Sequence, residues 1–272
     1  MRKRYSFSSR HTKRARDSKN LRKQKKKFPD VVQKVLDLSD IILQVLDARF
    51  IEETRNLEIE KEIERKNKKI IYIINKSDLA DKIITQISPR SIISCTKRTG
   101  IKTLRNRVKA IASKINKEEK IIVGVIGYPN TGKSSLINLL IGKKSAKTGA
   151  EAGYTKGLQK LKLSSNVILL DSPGVIPKQE YSNIGNKKIA KHVKVGARTY
   201  SQVKDPEQII AELIKEFSDV LQKHYNIQTK SPEYLLEKLG RQKNFLKKGK
   251  EVNFDKTARQ IIKDWQNGKI KV

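Results

Sequence analysis

Up to about residue 181 the chain alternates two apolar patterns, and beyond it keeps only one of them. Runs in which almost every position is apolar read as buried strands: IILQVLDAR up to Asp47, KIIYIINKSD, RSIISCT and KIIVGVIG. Between them lie segments with apolar residues three and four apart, which predict helices. These are VVQKVLDLSD (Val31, Val32, Val35, Leu36, Leu38), a charged stretch from Glu52 to about Lys66, DKIITQIS, and GIKTLRNRVKAIASKI. A further helix is predicted in KSSLINLLIG, then two strands in LQKLKLSSNVILLDSPG with a turn at Ser164 to Asn166. Strands apolar on both faces, alternating with helices, predict an α/β fold with a mainly parallel sheet covered on both sides.

After about Tyr181 the pattern is helical only. PEQIIAELIKEFSDVLQKHY places Ile209, Ile210, Leu213, Ile214, Phe217 and Leu221 on one face. SPEYLLEKLG opens with a Ser cap and a Pro at the first helical position and is predicted to stop at its Gly. FDKTARQIIKDWQNG has Asp255 as an expected cap and Gly268 as an expected stop. The organisation expected is a basic arm over 1–29, an α/β domain over 30–181, a connecting segment over 182–204, and a small all-helical domain over 205–272. Trp265, spaced with Ile261 and Ile262, fits the helical core, with stacking on a base as the lesser alternative.

Charge changes the picture. The 272 residues carry 61 Lys and Arg against 28 Asp and Glu, a formal charge of +33, which points to a polyanionic partner. Residues 1–27 alone hold thirteen Lys and Arg and one Asp, and are read as an RNA-contacting arm, against the plainer reading of a solubilising tail or localisation signal. No apolar run approaches the roughly 18 residues of a membrane span, and no apolar stretch follows the first basic residues, so neither a membrane partner nor a secretory signal is expected. One cysteine, Cys95, leaves no disulfide partner within the chain and predicts a reducing, cytoplasmic-type compartment. The scattered His11, His192 and His224 suggest no metal cluster.

The chemistry sits in four short motifs. GYPNTGKSS, Gly127 to Ser135, lies between a predicted strand and a predicted helix and has the spacing of a phosphate-binding loop. Its Asn130, Thr131, Gly132, Lys133, Ser134 and Ser135 are the expected nucleotide contacts, with Lys133 reaching the terminal phosphates and Ser134 ligating magnesium. DSPG supplies Asp171 for the magnesium shell and the Gly174 amide for a third phosphate. Thr155, in GYTKG, is placed to bring a hydroxyl to magnesium, against the plainer reading of an ordinary loop threonine. Lys133, Thr155 and Gly174 are therefore the candidates for transition-state contacts.

NKSD chooses the base. The Asp78 carboxylate can accept from guanine N1–H and the 2-amino group, a pair adenine lacks. The Lys76 stem can lie along the base, and Asn75 can tie this loop to the phosphate loop. Ser94, Cys95 and Thr96 close the third strand, where a backbone amide can meet the guanine oxygen, and Cys95 is read as a small turn residue, not a nucleophile. NKSD normally follows the phosphate loop, but here it precedes it. One sheet can be visited in another order if the old termini are joined and new ones opened. The basic helix from Ile101 to Ile115 is read as the join, and the new opening falls just after DSPGVIP.

The order DAR, NKSD, SCT, GYPNTGKSS, GYTKG, DSPG resembles the circularly permuted GTPases of the YlqF/YawG family, over roughly residues 30–272. GARTYSQVKDPE and DWQNGKI resemble the same family's C-terminal region, and the long basic arm is closer to its archaeal and nucleostemin-like branches. One departure is DARF, because many members carry a proline two residues after the Arg. The resemblance implies a permuted P-loop GTPase domain that takes GTP or GDP and magnesium and hydrolyses GTP. Its implied partners are ribosomal RNA and the precursor of the large ribosomal subunit, with action as a monomer in the cytoplasm, or in the nucleolus of a eukaryote. Two other readings remain: an RNA-bound scaffold that uses GTP and GDP as a switch with little hydrolysis, and a GTPase serving tRNA or translation. Val175 follows the DxxG glycine where a water-orienting Gln is common, so slow turnover is expected without the ribosome. Asn130 matches the position of a potassium ligand in PNxGKS loops, against the plainer reading that it only shapes the loop. His11 resembles a histidine of bacterial relatives but lies farther from DAR, and it is given no role.

Overall fold

The computed structural model describes residues 31–115, 117–142, 158–174, 176–177 and 186–272. The basic arm, Thr155 and Val175 lie outside these residues. A six-stranded sheet runs β3-β2-β1-β4-β6-β5, from β1 (Ile41–Asp47), β2 (Lys69–Asn75), β3 (Arg90–Ile92), β4 (Ile121–Gly127), β5 (Gln159–Lys162) and β6 (Val167–Asp171). Every pairing is parallel except β5 with β6, the antiparallel edge.

Side chains alternate across the strands, and the two faces bury different helices. Ile41, Leu43, Val45, Ile71, Ile73, Val123 and Val125 face α4 (Ile101–Ala112) and α5 (Lys133–Ile141), meeting Leu104, Val108, Leu136 and Leu140. Ile42 and Ile126 face the other way, onto α1 (31–38) and Ile63 of α3 (Leu57–Arg65). A short α2 (Ile51–Thr54) leads into α3, which is capped by Asn56. Burial on both faces explains why the central strands read as nearly unbroken apolar runs.

The chain builds one half of the sheet outward through β1, β2 and β3. It then returns through α4 to the centre at β4 and completes the other half. The expected join is therefore the crossover from an outer strand to the middle one.

The helical part comprises α6 (Asn186–Lys194), α7 (Pro206–Tyr225), α8 (Pro232–Gln242) and α9 (Phe254–Gln266). Trp265 is fully buried among Ile209, Leu213, Leu236 and Ile261, so the core reading of this residue holds and base stacking does not. The same cluster takes in Phe50 and Tyr128, so the helices pack onto the sheet's carboxyl end. Within the segment expected to connect the two parts, residues 186–194 form α6 and join this core.

Three expectations need correction. DKIITQIS is not helical. Its β-branched run Ile83, Ile84, Thr85 has weak helix propensity and Pro89 disfavours helix just before it. At its start, Asp81 N bonds to Val272 O at 3.2 Å instead of joining a helical turn. Helix α8 passes Gly240 and ends at Gln242, because Gly240 lies under Val252 where a larger residue would clash. Helix α9 is capped by Asn253, whose side chain accepts from Lys256 N at 3.0 Å, and not by Asp255.

Candidate functional site

Of the four motifs, NKSD, GYPNTGKSS and DSPG converge at the carboxyl ends of the central strands, where parallel sheets bind ligands. Asp47 and Asn75 are register partners at the ends of β1 and β2, and Asp171 ends β6. The phosphate loop leaves β4 at Gly127 and enters α5 through Gly132, which has φ +99°. A side chain at Gly132 would run into Asn75 Nδ2. Only glycine serves at a left-handed position that close to a neighbour.

Lys133 is buried, and its ammonium donates to Tyr128 O at 2.7 Å. Burial pulls its pKa down to about 8, against the pull of nearby Asp171. Thr131 Oγ1 donates to the same carbonyl at 3.0 Å. Ser134 Oγ donates to Asp171 Oδ2 at 3.1 Å. Burial raises the Asp171 carboxyl above its ordinary range, countered by the Lys133 charge. Asp171 Oδ1 is buried with no hydrogen-bond partner among the described residues. A buried, unpaired carboxylate oxygen beside a hydroxyl fits a hard divalent cation, so Ser134 and Asp171 suit magnesium.

The base loop is tied to the phosphate loop as expected. Asn75 Nδ2 donates to Thr131 O at 2.8 Å, and Asn75 Oδ1 accepts from Cys95 N at 3.1 Å. Asp78 Oδ1 accepts from Ser94 Oγ at 2.5 Å, and Ser94 Oγ accepts from Lys97 N at 2.9 Å. Ser94 is thereby a brace for Asp78, while Thr96 is exposed on the turn beyond it. Burial pushes the Cys95 thiol up to about 11, which leaves little thiolate and fits a turn residue. Gly174 lies against the backbone of Pro129 in the phosphate loop. Asn130 Nδ2 donates to Gly196 O at 2.8 Å, so this side chain reaches the segment after α6.

Asp47, which meets the base loop at Lys76, and Arg49, which pairs with Asp47, were visible in the sequence only as part of DAR. Asp47 is fully buried and accepts from Lys76 Nζ and from Arg49 Nη2, each at 2.8 Å. Burial opposes its ionisation, but the charges of Lys76 and Arg49 prevail and hold the carboxyl well below the usual range. The signal available in sequence was an acid closing an apolar strand.

A family model described as 50S ribosome-binding GTPase matches residues 122–238. A relative from Methanocaldococcus jannaschii, "Uncharacterized GTP-binding protein MJ1464", is 38% identical over 258 residues, 90% of this chain and 67% of that protein. With that identity and the reversed motif order on one sheet, the family is settled. The chain belongs to the circularly permuted GTPases. "Nucleolar GTP-binding protein 2" from Neurospora crassa is 33% identical over 261 residues, 91% of this chain but 41% of that protein. This GTPase thus spans about two thirds of the archaeal relative and less than half of the fungal one. In fold it is similar to GNP-bound YlqF from T. maritima, with a TM-score of 0.65 and 22% identity over 90% of this chain and 95% of that one.

Proposed function

We propose that the protein binds and hydrolyses GTP and, through ribosomal RNA, assists assembly of the large ribosomal subunit. The Asn75 to Thr131 bond carries the nucleotide part of this reading, because it makes base selection and phosphate binding one site. The charge of +33, a family model described as ribosome-binding and a relative named for the nucleolus support the RNA part. In this reading Asp78 selects guanine, the phosphate-loop amides and Lys133 hold the phosphates, and Gly174 meets the third phosphate. Ser134 and Asp171, joined by Thr155, would hold magnesium, which would neutralise charge on the phosphates. Residues 30–181 form the GTPase domain and 205–272 an RNA-binding domain, working as a monomer in the cytoplasm, or in the nucleolus if the source is a eukaryote.

Turnover is proposed to be slow alone, because Val175 cannot orient a water, and to rise with potassium and with the ribosome. The Asn130 oxygen would ligate the potassium while its nitrogen stays on Gly196. The test is GTP turnover in potassium and in sodium at equal ionic strength, for wild type and Asn130→Ala, with and without large subunits. Higher turnover in potassium, lost in Asn130→Ala, supports the assignment, and equal rates in both salts remove potassium from the mechanism. Val175 also favours the second reading, an RNA-bound switch with little hydrolysis. Turnover that stays negligible with large subunits present decides for that reading.

A further inference from the structure

Asp47 closes β1 at the sheet's carboxyl end, beside the loop that carries Lys76. Both of its oxygens are taken by cations or amides. Oδ2 accepts from Lys76 Nζ at 2.8 Å and from Arg49 Nη2 at 2.8 Å. Oδ1 accepts from Arg49 Nε at 3.0 Å and from the Arg49 amide at 3.1 Å. Arg49 then reaches away from the sheet, and its Nη1 donates to Trp265 O near the end of α9 at 3.1 Å. The Arg49 side chain is 2% exposed.

Burying a carboxylate with two cations is costly, and an apolar trio of similar volume often serves stability as well or better. What the ionic arrangement adds is direction, since each cation is held to one place. Lys76 needs such a hold. Its backbone is left-handed, φ 63°, which is uncommon for a residue with a side chain. Its ammonium reaches back to Asp47, and this bond fixes the far end of its methylene stem.

We infer that Asp47 is a positioning residue for the guanine site, anchoring Lys76 on one side and, through Arg49, helix α9 on the other. This rests on the guanine-site reading given above. The helical part then completes the base site, because the residue that pins the base-covering lysine is itself pinned to α9. A second contact runs alongside. Phe50, next to Arg49, stacks on Trp265 with ring centres 5.9 Å apart, and Trp265 Nε1 donates to Lys194 O at 3.0 Å.

The experiment is a double-mutant cycle on the full chain, reading affinity for a fluorescent GDP analogue. Asp47→Asn removes the anchor, and Lys76→Met keeps the stem but removes the ammonium. Each is expected to weaken GDP binding about tenfold, the loss of a charge-assisted hydrogen bond, and the double variant no more than the weaker single. Losses that multiply would show that Asp47 acts on the fold and not through Lys76, and would overturn the inference. Where Asp47→Asn does not fold, Lys76→Met decides alone: unchanged GDP affinity overturns the inference. Asp78→Asn is measured in parallel against GDP and XDP. If it keeps GDP affinity, the guanine-site reading itself fails; if it turns toward XDP while the cycle is additive, only the role of Asp47 fails. Trp265 is the chain's single tryptophan, so its emission reads the other end. GDP is expected to shift that emission in wild type and not in Arg49→Lys, and an equal response in both overturns the link to α9.

Discussion

Asn75 donates its side-chain amide to the carbonyl of Thr131 at 2.8 Å, across 56 positions of sequence. One residue thereby fastens the loop that reads the base to the loop that holds the phosphates. The permuted chain builds these loops in reverse order, yet the sheet brings them to the same edge, at the ends of β2 and β4 on either side of β1. Asn75→Ala is expected to lose both this bond and the one from Cys95 N, leaving the buried Thr131 carbonyl and the part-buried Cys95 amide without them, at a cost of up to about 1–3 kcal/mol each. GDP affinity, measured by equilibrium titration, should fall at least tenfold, with a lower unfolding midpoint in the nucleotide-free protein.

Asp78 should decide the base. Asp78→Asn replaces an acceptor pair by an amide that repels the guanine donors, and affinity should pass from GDP toward XDP by one to two orders of magnitude, roughly the value of charge-assisted bonds. Ser94→Ala removes the hydroxyl that braces Asp78 and should weaken GDP binding several-fold without altering base preference. Titration with both nucleotides checks the two variants together.

Lys133 predicts a proton signature. In the free protein burial holds its pKa near 8, so above that pH part of the population carries a neutral amine. Phosphates favour the charged form and raise the pKa. Nucleotide binding should therefore take up protons above about pH 8 and exchange few from this group well below it. Calorimetry in two buffers of different ionisation enthalpy measures the uptake, and a signal without buffer dependence at pH 8.5–9 would remove Lys133 from the contact.

Gly174 should separate the two nucleotide states. Its Cα lies so close to Pro129 that an added methyl would sit 2.6 Å from the Pro129 Cα. Gly174→Ala must push the DxxG loop away from the phosphate loop. The loss should fall on a GTP analogue and spare GDP, because only the triphosphate needs the Gly174 amide. Equal losses for both ligands would assign Gly174 to general packing.

Much of this was legible in the sequence, for reasons that differ by residue. Ile41 to Asp47 read as a strand because all seven positions are buried, which leaves five apolar residues interrupted only by Gln44 before the closing Asp47. The phosphate loop and NKSD were legible because their chemistry fixes residue type at fixed spacing. The segment 81–88 was misread because its apolar spacing suits a helix, while Asp81 bonds instead to Val272, nearly two hundred positions away. The Gly240 stop failed likewise, since Val252 gives that glycine a packing reason. The partners of Asp47 and Arg49 were not legible, because the bond from Arg49 to Trp265 spans 216 positions and leaves no local pattern.

Sedimentation of the full chain with large ribosomal subunits and their precursors tests the central claim most directly. The protein should migrate with these particles in a non-hydrolysable GTP analogue and leave them in GDP, and binding should weaken steeply as salt rises, because phosphate contacts release counterions. Migration that is the same in both nucleotides, or absent in both, would contradict the account of a guanine-nucleotide switch acting on the large subunit.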